Sequence, residues 1–309
     1  GSEMCIRDRY RVVKEINMLD KVKKNKYGFY ELKNKPIAEE QALNFEEEYY
    51  QNEEGGHENN YPTEALEYFE NKAVQREYII RKILGEDRKL RILDIGCGEG
   101  FLLQHFLNKG AEVCGIDYSK YGIEHNNPQL LPFLMQGDCY KILEKLIENN
   151  EVFDVVNTDC TLDMVPNPEL LLQLIKRVVK KDGLIACKVS NNYSDFQIEL
   201  LKNGTLSKEF WLDEKGHPSY FNKDGFVNFF DANGYECKGV YSERLIELNL
   251  MNELTNYYEK PETGKACWKT AFKIENMLHD LSMEDTVNIM RLFANMGLGR
   301  ELLGIFSVK

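Results

Sequence analysis

From residue 76 onward, apolar positions fall in short bursts separated by longer stretches of helical period. The bursts at 90–95, 112–117, 133–137, 153–159 and 183–189 are rich in Val, Ile, Leu and Phe and predict β-strands. Between them, 101–108, a short 121–126, 140–148 and 168–180 read as helices. The last is the best signalled. Asn167 can cap it, Pro168 suits its first turn, and Lys180-Lys181-Asp182-Gly183 supplies basic residues and a glycine at its end. Further along, 223–232 reads as a helix stopped by Asn233-Gly234, 235–241 as a strand and 302–308 as a final strand. This alternation predicts an α/β protein with a doubly wound, parallel sheet.

The flanks differ from this core. Residues 1–75 are charged and tyrosine-bearing, and Gln51-Asn52-Glu53-Glu54-Gly55-Gly56-His57 interrupts them as an exposed loop or lid. Residues 244–300 carry two long amphipathic runs separated by a Pro261-Glu262-Thr263-Gly264 turn. The plan is therefore an N-terminal cover (1–75), a core (76–243), a helical insertion (244–300) and a last core strand (301–309). An insertion at that point belongs beside the carboxyl edge of the sheet, where open α/β folds bind ligands. It reads as a substrate roof or a dimer surface. The run Leu245-Ile246-Glu247-Leu248-Asn249-Leu250-Met251 has more apolar residues than one buried stripe needs, which favours a partner surface and a possible homodimer.

Composition narrows the partners. The chain of 309 residues carries 39 Lys+Arg against 51 Asp+Glu, a net charge of −12, which argues against nucleic acid as partner. No apolar run approaches the ~20 residues of a membrane span, and no secretory signal is visible. Gly1-Ser2 reads as a vector remnant. The eight cysteines are scattered, with no C-x-x-C pair and no His at zinc spacing, so no metal is expected. Cys97, Cys114, Cys139, Cys160 and Cys187 lie in strand or strand-end contexts, which suits reduced thiols in a cytoplasm.

The chemistry concentrates in Leu93-Asp94-Ile95-Gly96-Cys97-Gly98-Glu99-Gly100, between the first core strand and its helix. Glycines there let the backbone turn sharply at a strand end and lie against a ligand. Asp94 and Glu99 do not suit a pyrophosphate, and Phe101 stands where the dinucleotide pattern wants its last glycine. A ligand with an ammonium and a sulfonium tolerates those acids, which points to S-adenosylmethionine (SAM) rather than NAD. Asp117 follows at about the 20-residue distance from the glycine turn that suits a ribose-binding carboxylate, with Tyr118 beside it. Asp138 and Cys139 end the third strand, where an acid suits an adenine amine. Asp138 reads equally as the N-cap of the helix that follows. The fourth strand ends in Asn157-Thr158-Asp159-Cys160-Thr161-Leu162-Asp163, with Thr158 a further cofactor candidate.

In this order and spacing, the glycine turn, two acids and polar fourth-strand end resemble the class I SAM-dependent methyltransferases over about residues 76–243. The chain is most similar to the bacterial small-molecule group with a D-x-G-C-G-x-G loop and a late segment like His217-Pro218-Ser219-Tyr220-Phe221. The resemblance implies a Rossmann-like sheet of seven strands, mostly parallel with an antiparallel last strand, between N-terminal and C-terminal helical covers. It places Asp94, Gly96, Cys97 and Gly98 against the methionine part of SAM, Asp117 on the ribose, and Asp138 with Cys139 at the adenine. An aromatic of the N-terminal region is expected near the cofactor, with Tyr49 or its neighbour Tyr50 as the choice. The chain departs from many relatives in carrying Asp163-Met164 where they have Glu-His, and it lacks the N-P-P-aromatic motif.

Methylation of a hydroxyl on a small polar metabolite, such as a sugar, is the function this implies, leaving S-adenosylhomocysteine. An oxygen acceptor has to lose a proton, and the candidates to take it are His217, Asp159 and Asp163, in that order. His217 reads also as a packed structural histidine. Competing functions are N- or C-methylation of a small metabolite and a non-catalytic SAM-binding partner protein.

Overall fold

The structure, a computed structural model, describes residues 21–35, 61–212 and 217–309. Seven strands form the central sheet. In chain order they are β3 (Arg91–Ile95), β4 (Glu112–Asp117), β5 (Leu134–Gln136), β6 (Phe153–Asp159), β7 (Val179–Ser190), β9 (Tyr235–Glu243) and β10 (Glu301–Val308). Their spatial order is β5-β4-β3-β6-β7-β10-β9. The first five run parallel, and β10 is wedged antiparallel between β7 and β9, with Glu301 opposite both Ser190 and Glu243. The expected Rossmann-like sheet with an antiparallel last strand is present.

Adjacent core residues point to opposite faces. Val156, Leu93 and Ile95 pack with Phe229 and Leu171, whereas Val155 and Ile92 pack with Ile80 and Phe106 on the other side. Helices α4 (Cys139–Glu148), α5 (Pro168–Val178) and α7 (Lys223–Ala232) supply residues to the first layer. The second is supplied by α1 (Thr63–Leu84), α2 (Phe101–Asn108), α3 (Tyr121–Asn126) and α9 (Met283–Asn295). Burying each such side chain contributes about 1.5–3 kcal/mol, so both layers are needed to hold the sheet.

Asn167 caps α5 as expected, its side chain accepting from Leu170 N–H at 3.0 Å. The helix stops two residues earlier than its basic end suggested, because Val179 is already in β7. Helix α1 runs without a break across 75/76, where the sequence placed the start of the core. The N-terminal cover is not all helical. Strands β1 (Val22–Lys24) and β2 (Tyr30–Leu32) make a hairpin that takes β8 (Ser219–Tyr220) as its third strand. In the insertion, both long helices, α8 (Gly264–Leu281) and α9, follow the Pro261 turn. The run before it is a 3-10 helix, Leu245–Met251, rather than an amphipathic α-helix. Its polar residues explain this: Asn249 Nδ2 donates to Ile246 O, and Asn252 and Asn256 accept from backbone N–H groups just downstream. Such local bonds compete with α-helix. No helix among the described residues is long and apolar enough to cross a membrane. Helix α6 (Asp195–Lys202) starts from a Ser194 and Gln197 capping box after β7.

Candidate active site

The glycine loop is strapped to the end of β4. The N–H groups of Gly96 and Cys97 both donate to Ile116 O, at 2.7 and 3.1 Å. Gly98 N–H donates to Asp117 Oδ2 at 2.9 Å, and Ser119 N–H to Asp117 Oδ1 at 2.9 Å. Asp117 thus shapes the loop whose ligand it is proposed to share. Gly96 has φ +73°, and a Cβ there would overlap Thr161 Oγ1. Gly122, which sequence reasoning passed over, lets α3 close on the loop, since a Cβ would stand 2.7 Å from Gly98 O. Beyond it, Tyr118 Oη donates to Asp138 Oδ2 at 2.8 Å while Asp138 Oδ1 caps α4 through Lys141 N–H at 3.0 Å. Asp138 is therefore the N-cap of α4 through one oxygen and holds Tyr118 through the other. Burial pushes the Cys139 thiol up to about 12, and the Cys97 thiol well above its ordinary value, so both are neutral.

Beneath the loop lies a buried polar floor. Arg76, on the inward face of α1, donates to Asn157 Oδ1 and Asp159 Oδ1, each at 2.6 Å. Asn157 Nδ2 then donates to Asp94 Oδ1 at 2.6 Å. Asp159 also faces Lys188 at 3.2 Å. Burial alone would raise the Asp159 carboxyl. The charges of Arg76 and Lys188 outweigh it and hold the group well below the usual carboxylate range. A carboxylate so strongly held is a poor proton acceptor near neutral pH, and the structure gives Asp159 the job of pairing cations. Arg76 was missed in the sequence; it lies between Ala73 and Ile79 on a buried helix face that also carries Lys72 and Gln75.

Asp94 behaves oppositely. Burial, with the Asp159 charge nearby, pushes its carboxyl from 3.8 up to about 7, against the hydrogen bond from Asn157. The folded protein therefore keeps a proton there that the unfolded chain gives up between about pH 4 and 7. Stability from this group is complete below pH 4 and is lost as pH rises through 7, by about 4 kcal/mol at most. Asp94→Asn keeps an acceptor for Asn157 and removes the ionisation. The stability of Asp94→Asn relative to wild type should therefore rise between pH 5 and 8 in denaturant titrations; a difference that stays flat with pH would overturn the assignment.

The other candidates sit at the carboxyl ends of β6 and β7. Thr158 is buried, and its Oγ1 has no hydrogen-bond partner among the described residues. Asp163 is also buried. Its Oδ2 accepts from Ser190 N–H at 3.0 Å and stands 3.7 Å from His217 Nδ1, so these two residues meet where sequence alone only grouped them. Tyr49 lies outside the described residues. The aromatic that does reach the glycine loop is Tyr61, whose hydroxyl donates to Glu99 Oε1 at 2.6 Å and whose ring packs edge-on to Phe101.

A glycine loop with no room for a side chain, a Thr158 hydroxyl without a partner among the described residues and acidic side chains at successive strand ends fit a nucleoside donor. Residues 67–238 match the family profile described as a methyltransferase domain. The chain belongs to that family. The ubiquinone biosynthesis O-methyltransferase of Vibrio cholerae is 32% identical to it over 173 residues, covering 54% of this chain and 69% of that protein. That of Colwellia psychrerythraea is 29% identical over 172 residues, covering 52% and 69%. A SAM-dependent methyltransferase structure from Archaeoglobus fulgidus aligns with TM-score 0.45 and 18% identity, over 76% of this chain and 93% of that one. This methyltransferase takes its methyl group from SAM.

Proposed function

We propose that this methyltransferase acts on a hydroxyl oxygen of a small polar molecule, a sugar or a similar metabolite. The observation that carries the reading is the His217–Asp163 pair. A buried carboxylate tied to Ser190 N–H can hold an imidazole in one orientation and stabilise its protonated form, while His217 itself is partly exposed. SAM brings a methyl group already activated on a sulfonium. What remains for the protein is alignment in a water-poor cleft, which supplies several kcal/mol, and removal of the hydroxyl proton. The Asp117-strapped loop and the Arg76–Asn157–Asp94 floor do the first; His217 does the second, with Asp163 as its positioning residue. The names of the curated relatives, O-methyltransferases, support oxygen as the methylated atom.

Donor contacts are proposed for Asp94, Gly96, Cys97, Gly98, Asp117, Tyr118, Asp138, Cys139 and Thr158. The setting proposed is the cytoplasm, in keeping with the free thiols of the seven described cysteines. His217→Ala should cut turnover by about 10²–10⁴-fold while donor affinity by calorimetry stays within about twofold. His217→Asn should behave alike. Full activity in His217→Ala would leave the histidine a structural role only. Product analysis by NMR separates a methyl ether from the N- or C-methylated alternatives, for which an amine or carbon acceptor needs no such base. SAM binding without turnover over a broad acceptor panel would favour the non-catalytic reading instead.

A further inference from the structure

Arg244 follows β9 directly and holds a left-handed backbone, φ +58°. A long side chain adopts that conformation only where its surroundings impose it. Here the Arg244 carbonyl accepts from Arg300 N–H at 2.9 Å. The guanidinium lies over Trp268, 5.2 Å from the ring centroid, and Nε stands 3.1 Å from Glu301 Oε2. The side chain is 28% exposed, and its buried Nε makes no hydrogen bond among the described residues. Nearby, the buried Tyr68 hydroxyl has no partner among the described residues although Glu275, Glu243, Arg244 and Glu301 all bear on it electrostatically. Two buried donors here, Arg244 Nε and the Tyr68 hydroxyl, make no hydrogen bond among the described residues, and the partly exposed end of the guanidinium is open to a group from outside.

The position is right for an acceptor. Glu301 lies 3.5 Å from Lys188, and Lys188 lies 3.2 Å from Asp159 on the donor floor. Glu301 is also opposite Ser190 across the β7–β10 pairing, and Ser190 N–H is the group that holds Asp163. The Arg244 fork and the His217–Asp163 pair therefore flank one strand end. We propose that Arg244, assisted by Tyr68, anchors the acceptor by a carboxylate. A planar guanidinium offers two parallel N–H bonds to a carboxylate, and the tyrosine adds a third donor. Glu243, Glu275 and Glu301 around the fork disfavour a dianion such as a phosphate monoester more strongly than a monoanion.

This inference rests on the sheet edge being the acceptor side, and not on which atom is methylated. The test uses the full chain saturated with S-adenosylhomocysteine, titrated calorimetrically with 3,4-dihydroxybenzoate and its neutral relative catechol, and with a panel of hydroxycarboxylates against their amides. Carboxylates should bind at least tenfold tighter than their neutral partners. Arg244→Gln should erase that preference, Arg244→Lys should keep part of it, and Tyr68→Phe should lower it several-fold. S-adenosylhomocysteine affinity should change less than twofold throughout. Should Arg244→Gln unfold because Glu301 is stranded, the Arg244→Gln/Glu301→Gln pair gives the same reading in a neutral setting. Equal or absent binding of carboxylates to the wild type, or a preference that survives in Arg244→Gln, overturns the proposal. Turnover with the same probes is read separately: a missing methyl ether counts against the hydroxyl reading and leaves the binding preference to stand or fall alone.

Discussion

Asp159→Asn is expected to lower the unfolding free energy by about 3–5 kcal/mol, the penalty for removing one partner from a buried ion pair. Two cations, Arg76 at 2.6 Å and Lys188 at 3.2 Å, would lose their shared counter-charge at the end of β6. The loss should appear as a midpoint shift in urea without a change in slope, and as a melting temperature lower by roughly 10 °C. Adding Arg76→Met to the variant removes one stranded charge and should recover part of the loss. The effect depends on pH in a defined direction. Because the folded Asp159 carboxyl is held below its ordinary value, its contribution is present at neutral pH and disappears under strong acid. Wild type and variant should therefore converge as pH falls below about 4. A variant as stable as wild type at pH 7 would show that the floor is not held by this pair.

The second large effect belongs to Asp117→Ala. Its two carboxylate oxygens accept from Gly98 and Ser119, so removal loosens the glycine loop as well as deleting the proposed ribose ligand. Donor affinity should fall by about 100-fold or more, equivalent to about 2.7 kcal/mol. Asp117→Asn retains an oxygen for one of the two N–H groups and should fall between. Faster hydrogen exchange at Gly98 would report the loop separately from the ligand contact. Calorimetric affinity unchanged in Asp117→Ala would refute the ribose assignment, whatever happened to the loop.

Much of this arrangement was readable before any coordinates, for identifiable reasons. Strands buried on both faces give continuous apolar runs, so β3, β4, β6 and β7 stood out, and the glycine loop announced the first strand end. Asp94, Asp117 and Asp138 were legible because each lies at or just beyond the end of a strand. What the sequence concealed depends on distant segments. Arg76 is eighty-one residues from its partner Asn157, and Arg244 is fifty-seven from Glu301; nothing local marks either pair. The hairpin β1–β2 was hidden by its shortness, for three-residue strands are completed only by Ser219–Tyr220 from the far side of the core. The 3-10 segment at Leu245–Met251 was misread because its apolar residues imitate a helical face while Asn249 within it, and Asn252 and Asn256 just after it, break the helix.

The place of β10 has a consequence for how the chain comes to its native state. Strand β9 does not pair with β7; Glu301–Val308 must arrive between them, after the whole insertion has been made. Until then β7 offers a naked edge bearing Ile185, Cys187 and Val189, an open template for another polypeptide. Emergence from the ribosome is thus followed by an interval in which five strands wait for their sixth neighbour, and non-local closure of this kind is slow. Shortening the last strand by a few residues should therefore be felt first as aggregation during synthesis, well before any defect in catalysis could be measured.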